Sequence, residues 1–243
     1  MSWNQFFLSP PASLSGGLAA VSRIPTSMEI WWVGRNGSIQ GAYWYEGSNW
    51  TRYELVPAGS AEVDGGIAAV SRASNRMEVW FVGSDASIQG VYWNEGATWQ
   101  RYQLALPHTA SSFTSIAAVS RIPTSMELWF VGKDGSVHDY YWYETNPWKN
   151  FQLAPPNSAS GVGGIAAVSR IPTSMEMWFV GADGSIQDYY WYDNNQGWKN
   201  FGLAPAGSAP PTSKIAAVSR IPTSMELWWI GPENSVKDAY WYA

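Results

Sequence analysis

Hydrophobic side chains recur at every second position over short stretches of this chain, and nowhere at helical spacing. Over residues 126–131 the alternation sets Met126, Leu128 and Phe130 on one face and Glu127, Trp129 and Val131 on the other, the geometry of a strand. Glu127 is the lone polar member, so both faces are fit for burial. A short apolar run at residues 116–120 precedes it and reads as another strand. Lys133-Asp134-Gly135-Ser136 is a hairpin signal leading into a strand over residues 137–143, and Asn146-Pro147 turns the chain toward a last strand at residues 148–153.

The same unit returns along the chain. Ser-Arg-Ile-Pro-Thr-Ser-Met-Glu begins at Ser22, Ser120, Ser169 and Ser219, with a looser copy, Ser-Arg-Ala-Ser-Asn-Arg-Met-Glu, at Ser71, so the steps are 49, 49, 49 and 50 residues. A fixed period of this size means one supersecondary unit stacked on its neighbours. Four antiparallel strands per period without a helix predict an all-β fold, a five-bladed β-propeller, with residues 1–243 forming a single domain of five tandem repeats. The Ala pairs that begin at Ala19, Ala68, Ala117, Ala166 and Ala216 suit innermost strands crowded around an axis. The last copy reaches Ala243 after its third strand, while the chain opens with Trp3-Asn4-Gln5-Phe6-Phe7-Leu8-Ser9-Pro10, which matches the fourth strand at residues 50–57. The expected arrangement has this N-terminal strand closing the last blade, which hides an edge that would otherwise invite aggregation.

Composition narrows the function. Seventeen Trp and a 16% aromatic share, against 14% charged residues, supply ring surface to pack between units. A net charge of -5, with its Lys and Arg dispersed, lacks the basic stripe that a nucleic-acid partner requires. No apolar run approaches the roughly 18 residues of a membrane span, so no membrane insertion is expected. Residues 1–17 lack the basic start and long apolar run of a secretory signal, which leads to the expectation of a cytoplasmic protein or one released without a signal peptide. With no Cys, and His108 and His138 isolated, neither a cofactor nor a metal centre is expected. The sequons at Asn36 and Asn49 fall in predicted turns and read as turn residues.

One carboxylate per copy (Glu29, Glu78, Glu127, Glu176 and Glu226) opens the second strand on its Trp face, and Arg23, Arg72, Arg121, Arg170 and Arg220 lie just across the preceding loop. An Arg to Glu ion pair bracing that loop is one reading. The other is a sugar site, in which carboxylate and guanidinium bond hydroxyl groups while an aromatic ring takes the apolar C–H face. Rings recur in the right region: Trp44, Trp93, Trp142, Trp191 and Trp241 on the third strand, and Trp3, Trp50, Trp99, Trp148 and Trp198 opening the fourth, each of which also fits core packing. Catalysis is not expected, because a glycosidase needs carboxylates converging on one centre and the innermost strands offer Ala, Val and Ser. Asp139, Asp188 and Asp238 could partner the glutamates, but Gly41 and Gly90 hold that place in the first two copies. The second copy, carrying Ala73, Ser74, Asn75, Arg76 and Asn94, is the one expected to be altered or silent.

The blade pattern of residues 28–50, with its outer hairpin, a Trp late in the third strand and a Trp opening the fourth, resembles the β-propeller lectins of the fungal and bacterial fucose-binding and Photorhabdus-type superfamily. The resemblance covers the whole chain. It implies a non-catalytic carbohydrate-binding protein with up to five similar weak sites between blades, acting by avidity on glycans or glycoconjugates, a fucose-like sugar among the candidates. In the fucose-binding members the sugar lies between adjacent blades, gripped by an Arg of the second strand and a Glu of the third and stacked on Trp residues of the next blade. Those ionic positions fall here on Glu29 and its repeats, and on Gly41, Gly90, Asp139, Asp188 and Asp238, while the stacking positions fall on the third- and fourth-strand Trp residues. The aromatic half of the pattern is present and the ionic half is not, so the resemblance implies a sugar without specifying fucose. A protein-interaction scaffold, with the same loops binding a polypeptide and the Trp residues only packing, is the alternative, and the oligomeric state is open.

Overall fold

The computed structural model describes residues 5–8, 12–13, 15–194 and 196–243. They form five antiparallel sheets. The first contains β1 (Leu18–Val21), β2 (Ser27–Val33), β3 (Ile39–Tyr45) and β4 (Thr51–Val56), and the second β5 (Ile67–Ala73), β6 (Arg76–Val82), β7 (Ile88–Asn94) and β8 (Gln100–Ala105). The third contains β9 (Ile116–Val119), β10 (Ser125–Val131), β11 (Val137–Tyr143) and β12 (Lys149–Ala154), and the fourth β13 (Ile165–Val168), β14 (Ser174–Val180), β15 (Ile186–Tyr192) and β16 (Lys199–Ala204). The fifth has three strands among the described residues, β17 (Ile215–Val218), β18 (Ser224–Ile230) and β19 (Val236–Tyr242). The four-strand unit expected from the sequence is therefore present in four sheets, with bounds within a residue or so. Of the N-terminal strand expected to close the last blade, residues 1–4 and 9–10, Trp3 among them, lie outside the described residues, and residues 5–8 are not in a strand.

The hairpin between the second and third strands needs one residue with positive φ. Gly37, Gly135 and Gly184 provide it at φ 71°, 78° and 77°, and Ala86 and Asn234 adopt the same turn at φ 59° and 57° without the freedom of glycine. The turn is held by its first residue: Oδ1 of Asn36, Asp85, Asp134 and Asp183 accepts a backbone N–H from the serine two positions on, at 3.0–3.1 Å. In the second copy Ser74 stands where the others carry Pro25, Pro123, Pro172 and Pro222. With an N–H restored, the ladder of β5 and β6 runs on to an Ala73–Arg76 pair.

The first strands are innermost, β5 lying between β1 and β9, and β13 between β9 and β17. Sheets stack face to face as the alternation requires. Met126, Leu128 and Phe130 of β10 pack with Trp80, Val82 and Ile88 of the second sheet, and Trp129 and Val131 of the same strand pack with Met175, Met177 and Phe179 of the fourth. Trp31, Trp80 and Trp129 are fully buried, each removing enough ring from water to contribute roughly 1.5–3 kcal/mol. The faces at the two ends of the array stay exposed, at Met28 on the first sheet and at Ile230 and Val236 on the fifth.

Candidate functional site

Burying the second-strand Trp creates a demand, since its indole N–H must find an acceptor away from water. The repeats meet it in two ways. In the first two sheets the third strand carries glycine opposite that Trp, and the fourth-strand tyrosine crosses the vacated space: Trp31 Nε1 donates to Tyr53 Oη at 2.9 Å and Trp80 Nε1 to Tyr102 Oη at 2.8 Å. A Cβ added at Gly41 would stand 2.6 Å from the Tyr53 ring, so glycine and tyrosine go together. In the third and fourth sheets the glycine is Asp139 or Asp188, the tyrosine is Phe151 or Phe201, and Trp129 and Trp178 donate to the aspartate Oδ2 instead.

These groups floor the clefts between neighbouring sheets. Tyr102 Oη donates to Glu78 Oε1 at 2.6 Å, and around this pair Arg72, Arg76, Tyr92 and Asn94 of the second sheet face Met126, Trp142 and Trp148 of the third across a cleft of about 290 Å³. The matching cleft between the fourth and fifth sheets, about 130 Å³, is lined by Glu176, Asp188, Phe201, Tyr240 and Trp241. Burial raises the carboxyls. Glu29 and Glu78 are pushed up to about 7, partly offset at Glu29 by Arg23 and at Glu78 by the Tyr102 hydroxyl and the nearby guanidinium groups. Glu176 reaches about 8 through burial and then through Asp188, while burial lifts Asp139 to about 8 and Asp188 to about 7 against the opposing pull of the indole N–H. Glu127 is raised by burial and by Asp139. In the cleft between the fourth and fifth sheets, Glu176 and Asp188 raised in this way hold protons near neutral pH, and a protonated carboxyl can donate where a carboxylate only accepts. Among the described residues no group of three His, Asp or Glu could hold a metal ion.

The arginines do something other than brace their own loop. Arg23, Arg72, Arg121 and Arg170 each reach the next sheet, where Nη1 donates to a backbone carbonyl (Ser74, Pro123, Pro172 and Pro222) at 2.5–2.7 Å and the guanidinium lies 4.7–5.1 Å from the third-strand Trp ring. Nη2 of Arg23, Arg121 and Arg170 also donates to Tyr45, Tyr143 and Tyr192 of the home sheet. The expected Arg to Glu pair within a copy does not form among the described residues; the carboxylates that approach are Glu95, 3.9 Å from Arg23, and Asp193, 4.0 Å from Arg121, both on the following sheet. The reason is reach, because the loop projects the side chain over the neighbour.

Four of the expected residue sets are brought together across neighbouring sheets. They pair Glu29 and Arg23 with Trp93 and Trp99, Glu78 and Arg72 with Trp142 and Trp148, Glu127 and Arg121 with Trp191 and Trp198, and Glu176 and Arg170 with Trp241. Trp99, Trp148 and Trp198 set their rings edge-on, 5.8–5.9 Å from the buried Trp of the preceding sheet, so they serve packing as well as lining. The parts of a fifth are apart: Glu226 accepts from Tyr242 on the fifth sheet, with Arg220 exposed, whereas Trp44 and Trp50 border an open cleft on the first. Trp3 lies outside the described residues. The second copy, expected to be the altered one, lines the cleft of about 290 Å³ with Asn94, where Tyr45 and Tyr143 hydrogen-bond the arginines of the first and third copies. What the sequence reading missed is the fourth-strand Tyr or Phe, which was signalled by its exchange in step with Gly or Asp.

A family model described as the fungal fucose-specific lectin matches residues 14–242. The chain belongs to that family. It is accordingly a β-propeller lectin, a carbohydrate-binding protein without catalysis, as the absence of convergent channel acids led one to expect. None of the curated proteins matches its sequence. Among solved structures it is similar to the BP39L lectin from Burkholderia pseudomallei (16% identity, 96% of this chain and 70% of that one, TM-score 0.86). It is also similar to AofleA from Arthrobotrys oligospora (18%, 94% and 69%, TM-score 0.76) and to the lectin of Aleuria aurantia (18%, 95% and 77%, TM-score 0.72), the last described as a six-bladed β-propeller. In each repeat the carboxyl stands on the second strand and the guanidinium arrives from the loop before it.

Proposed function

We propose that this lectin holds one sugar ring in each cleft between successive sheets, and that its five sheets make a single five-bladed domain whose repeated weak sites act together on glycan-covered surfaces. The cleft between the second and third sheets carries this reading, for it joins a buried carboxyl, a free-standing Arg76 and the rings of Trp142 and Trp148 in a space of monosaccharide size. Glu78 and Arg76 bond the sugar hydroxyls, and the indoles take its C–H face. A variant of the Aleuria aurantia lectin has been solved with alpha-methyl-L-fucoside, which makes that compound the first probe. Several such sites on one rigid body raise avidity by a factor of about 10² or more where glycan spacing permits.

A glycan array followed by calorimetric titration tests it. Array signal abolished by a free monosaccharide, with Glu78→Gln removing one site's share of the bound stoichiometry at unchanged melting temperature, is the expected result. A blank array, or sugar binding indifferent to Glu78→Gln and Arg76→Ala, would overturn it.

A further inference from the structure

The second repeat departs from the others at two positions that face each other. Arg76 lies opposite Asn94 in the ladder of β6 and β7, where the other sheets pair serine with tyrosine, as Ser27 with Tyr45 and Ser125 with Tyr143. In those sheets the serine is buried, and in the first, third and fourth the phenol takes Nη2 of the home arginine. With Asn94 in place of tyrosine, Arg72 lacks that acceptor, while its Nη1 still reaches the Pro123 carbonyl at 2.7 Å. Arg76 is partly exposed and lines the cleft toward the third sheet. Its backbone is held from the other side by the Ala73–Arg76 pair, which this sheet alone makes among the described residues.

Two guanidinium groups therefore share one cleft. Burial, and after it Arg76, holds Arg72 below its ordinary value, the mark of like charges brought together. The ion pairs among the described residues, Arg23 with Glu95, Arg121 with Asp193 and Lys237 with Glu233, include neither of them. Glu144, the exposed counterpart of Glu95 and Asp193, acts on Arg72 from farther off. Glu78 is pushed up to about 7 and accepts from Tyr102, so near neutral pH it offsets the pair incompletely. The wall opposite, Met126 with the rings of Trp142 and Trp148, brings no charge. An anion placed between the two arginines would relieve their repulsion and give each a charged acceptor. The cleft between the fourth and fifth sheets is the reverse case, for there Glu176 and Asp188 stand beside an Arg170 already bonded to Tyr192 and the Pro222 carbonyl.

We propose that the cleft between the second and third sheets selects an acidic sugar, with its carboxylate or sulfate ester bonded by Arg72 and Arg76, its ring against the indoles and a hydroxyl on Glu78. This rests on the lectin reading above and gives that one cleft a ligand class the others do not share. Calorimetric titration of the full chain with methyl glucuronide, methyl glucoside 6-sulfate and methyl glucoside tests it, since the three differ only at C6. One acidic probe or both should bind at a single site per chain, about 10-fold or more tighter than methyl glucoside, and the probe that responds identifies the anion. Arg76→Ser, which restores the residue of the other copies, should erase that preference while the chain stays folded. Ser27→Arg with Tyr45→Asn should build a second such site between the first and second sheets. No preference for either acidic probe, or one that survives Arg76→Ser, overturns the assignment, as does a folded Ser27→Arg, Tyr45→Asn variant that gains no site. If alpha-methyl-L-fucoside binds in those cases, the lectin reading stands without this inference; if no sugar binds at all, both fall.

Discussion

The first two sheets and the next two bury the same tryptophan, yet they surround it with different chemistry. Tyr53 and Tyr102 satisfy the indole with a neutral phenol, and Tyr102 donates its own hydroxyl hydrogen bond to Glu78. Asp139 and Asp188 satisfy it with a carboxyl oxygen, and among the described residues each leaves its Oδ1 buried without a partner. A buried donor therefore fixes the need for an acceptor without fixing its identity. The identity chosen then sets the charge state of the adjoining cleft.

The sharpest break between the two kinds of sheet would come from Gly90→Asp, which drives a Cβ into the Tyr102 ring and adds a buried carboxyl beside Glu78. We expect a cost of about 3–5 kcal/mol and a melting temperature lower by roughly 10 °C, with Tyr102→Phe in the same chain recovering most of it. Calorimetry on both variants decides, and a double variant no better than the single would show the exchange to be coincidental.

A smaller effect separates the sheets by pH. Each carboxyl raised to about 7 or 8 holds its proton more tightly folded than unfolded, where it titrates near 4. The stability that these carboxyls contribute is therefore fully present below about pH 4, declines as pH climbs through 8, and is flat above that. Asp139→Gly with Phe151→Tyr should make the decline in melting temperature between pH 5 and 9 shallower by about 2–4 °C. An unchanged slope would mean that Asp139 does not hold its proton more tightly in the folded protein.

The smallest change concerns the fence around the arginine. Asn94→Tyr gives the second sheet the phenol that clasps Arg23, Arg121 and Arg170 elsewhere. Stability should move by less than about 0.5 kcal/mol, while affinity at that cleft for alpha-methyl-L-fucoside falls severalfold. Equal affinity would mean that the extra room at Asn94 is not used.

Most of the strand pattern was legible because period-two alternation and hairpin turns are local signals. Met126 and Trp129 were assigned to opposite faces on spacing, and they bury against different neighbours. The destination of the arginines was not legible, because the distance from Arg23 to the Ser74 carbonyl depends on how sheets stack, and sequence spacing does not encode it. The roominess at Asn94 was invisible for a related reason: a substitution that looks like damage in an alignment of copies acts in three dimensions by removing an obstruction. The phenol-for-carboxylate exchange could have been read from the copies once the buried indole was recognised as a donor in need.

Each arginine clasp ties its own repeat to a loop carbonyl and a Trp ring of the next repeat. On the reading proposed above, the Trp rings that receive the clasps would also receive the sugar, so a filled cleft should resist the peeling of adjacent repeats. A densely glycosylated surface would then do more than retain this protein: it would select intact molecules over frayed ones and lengthen their survival there.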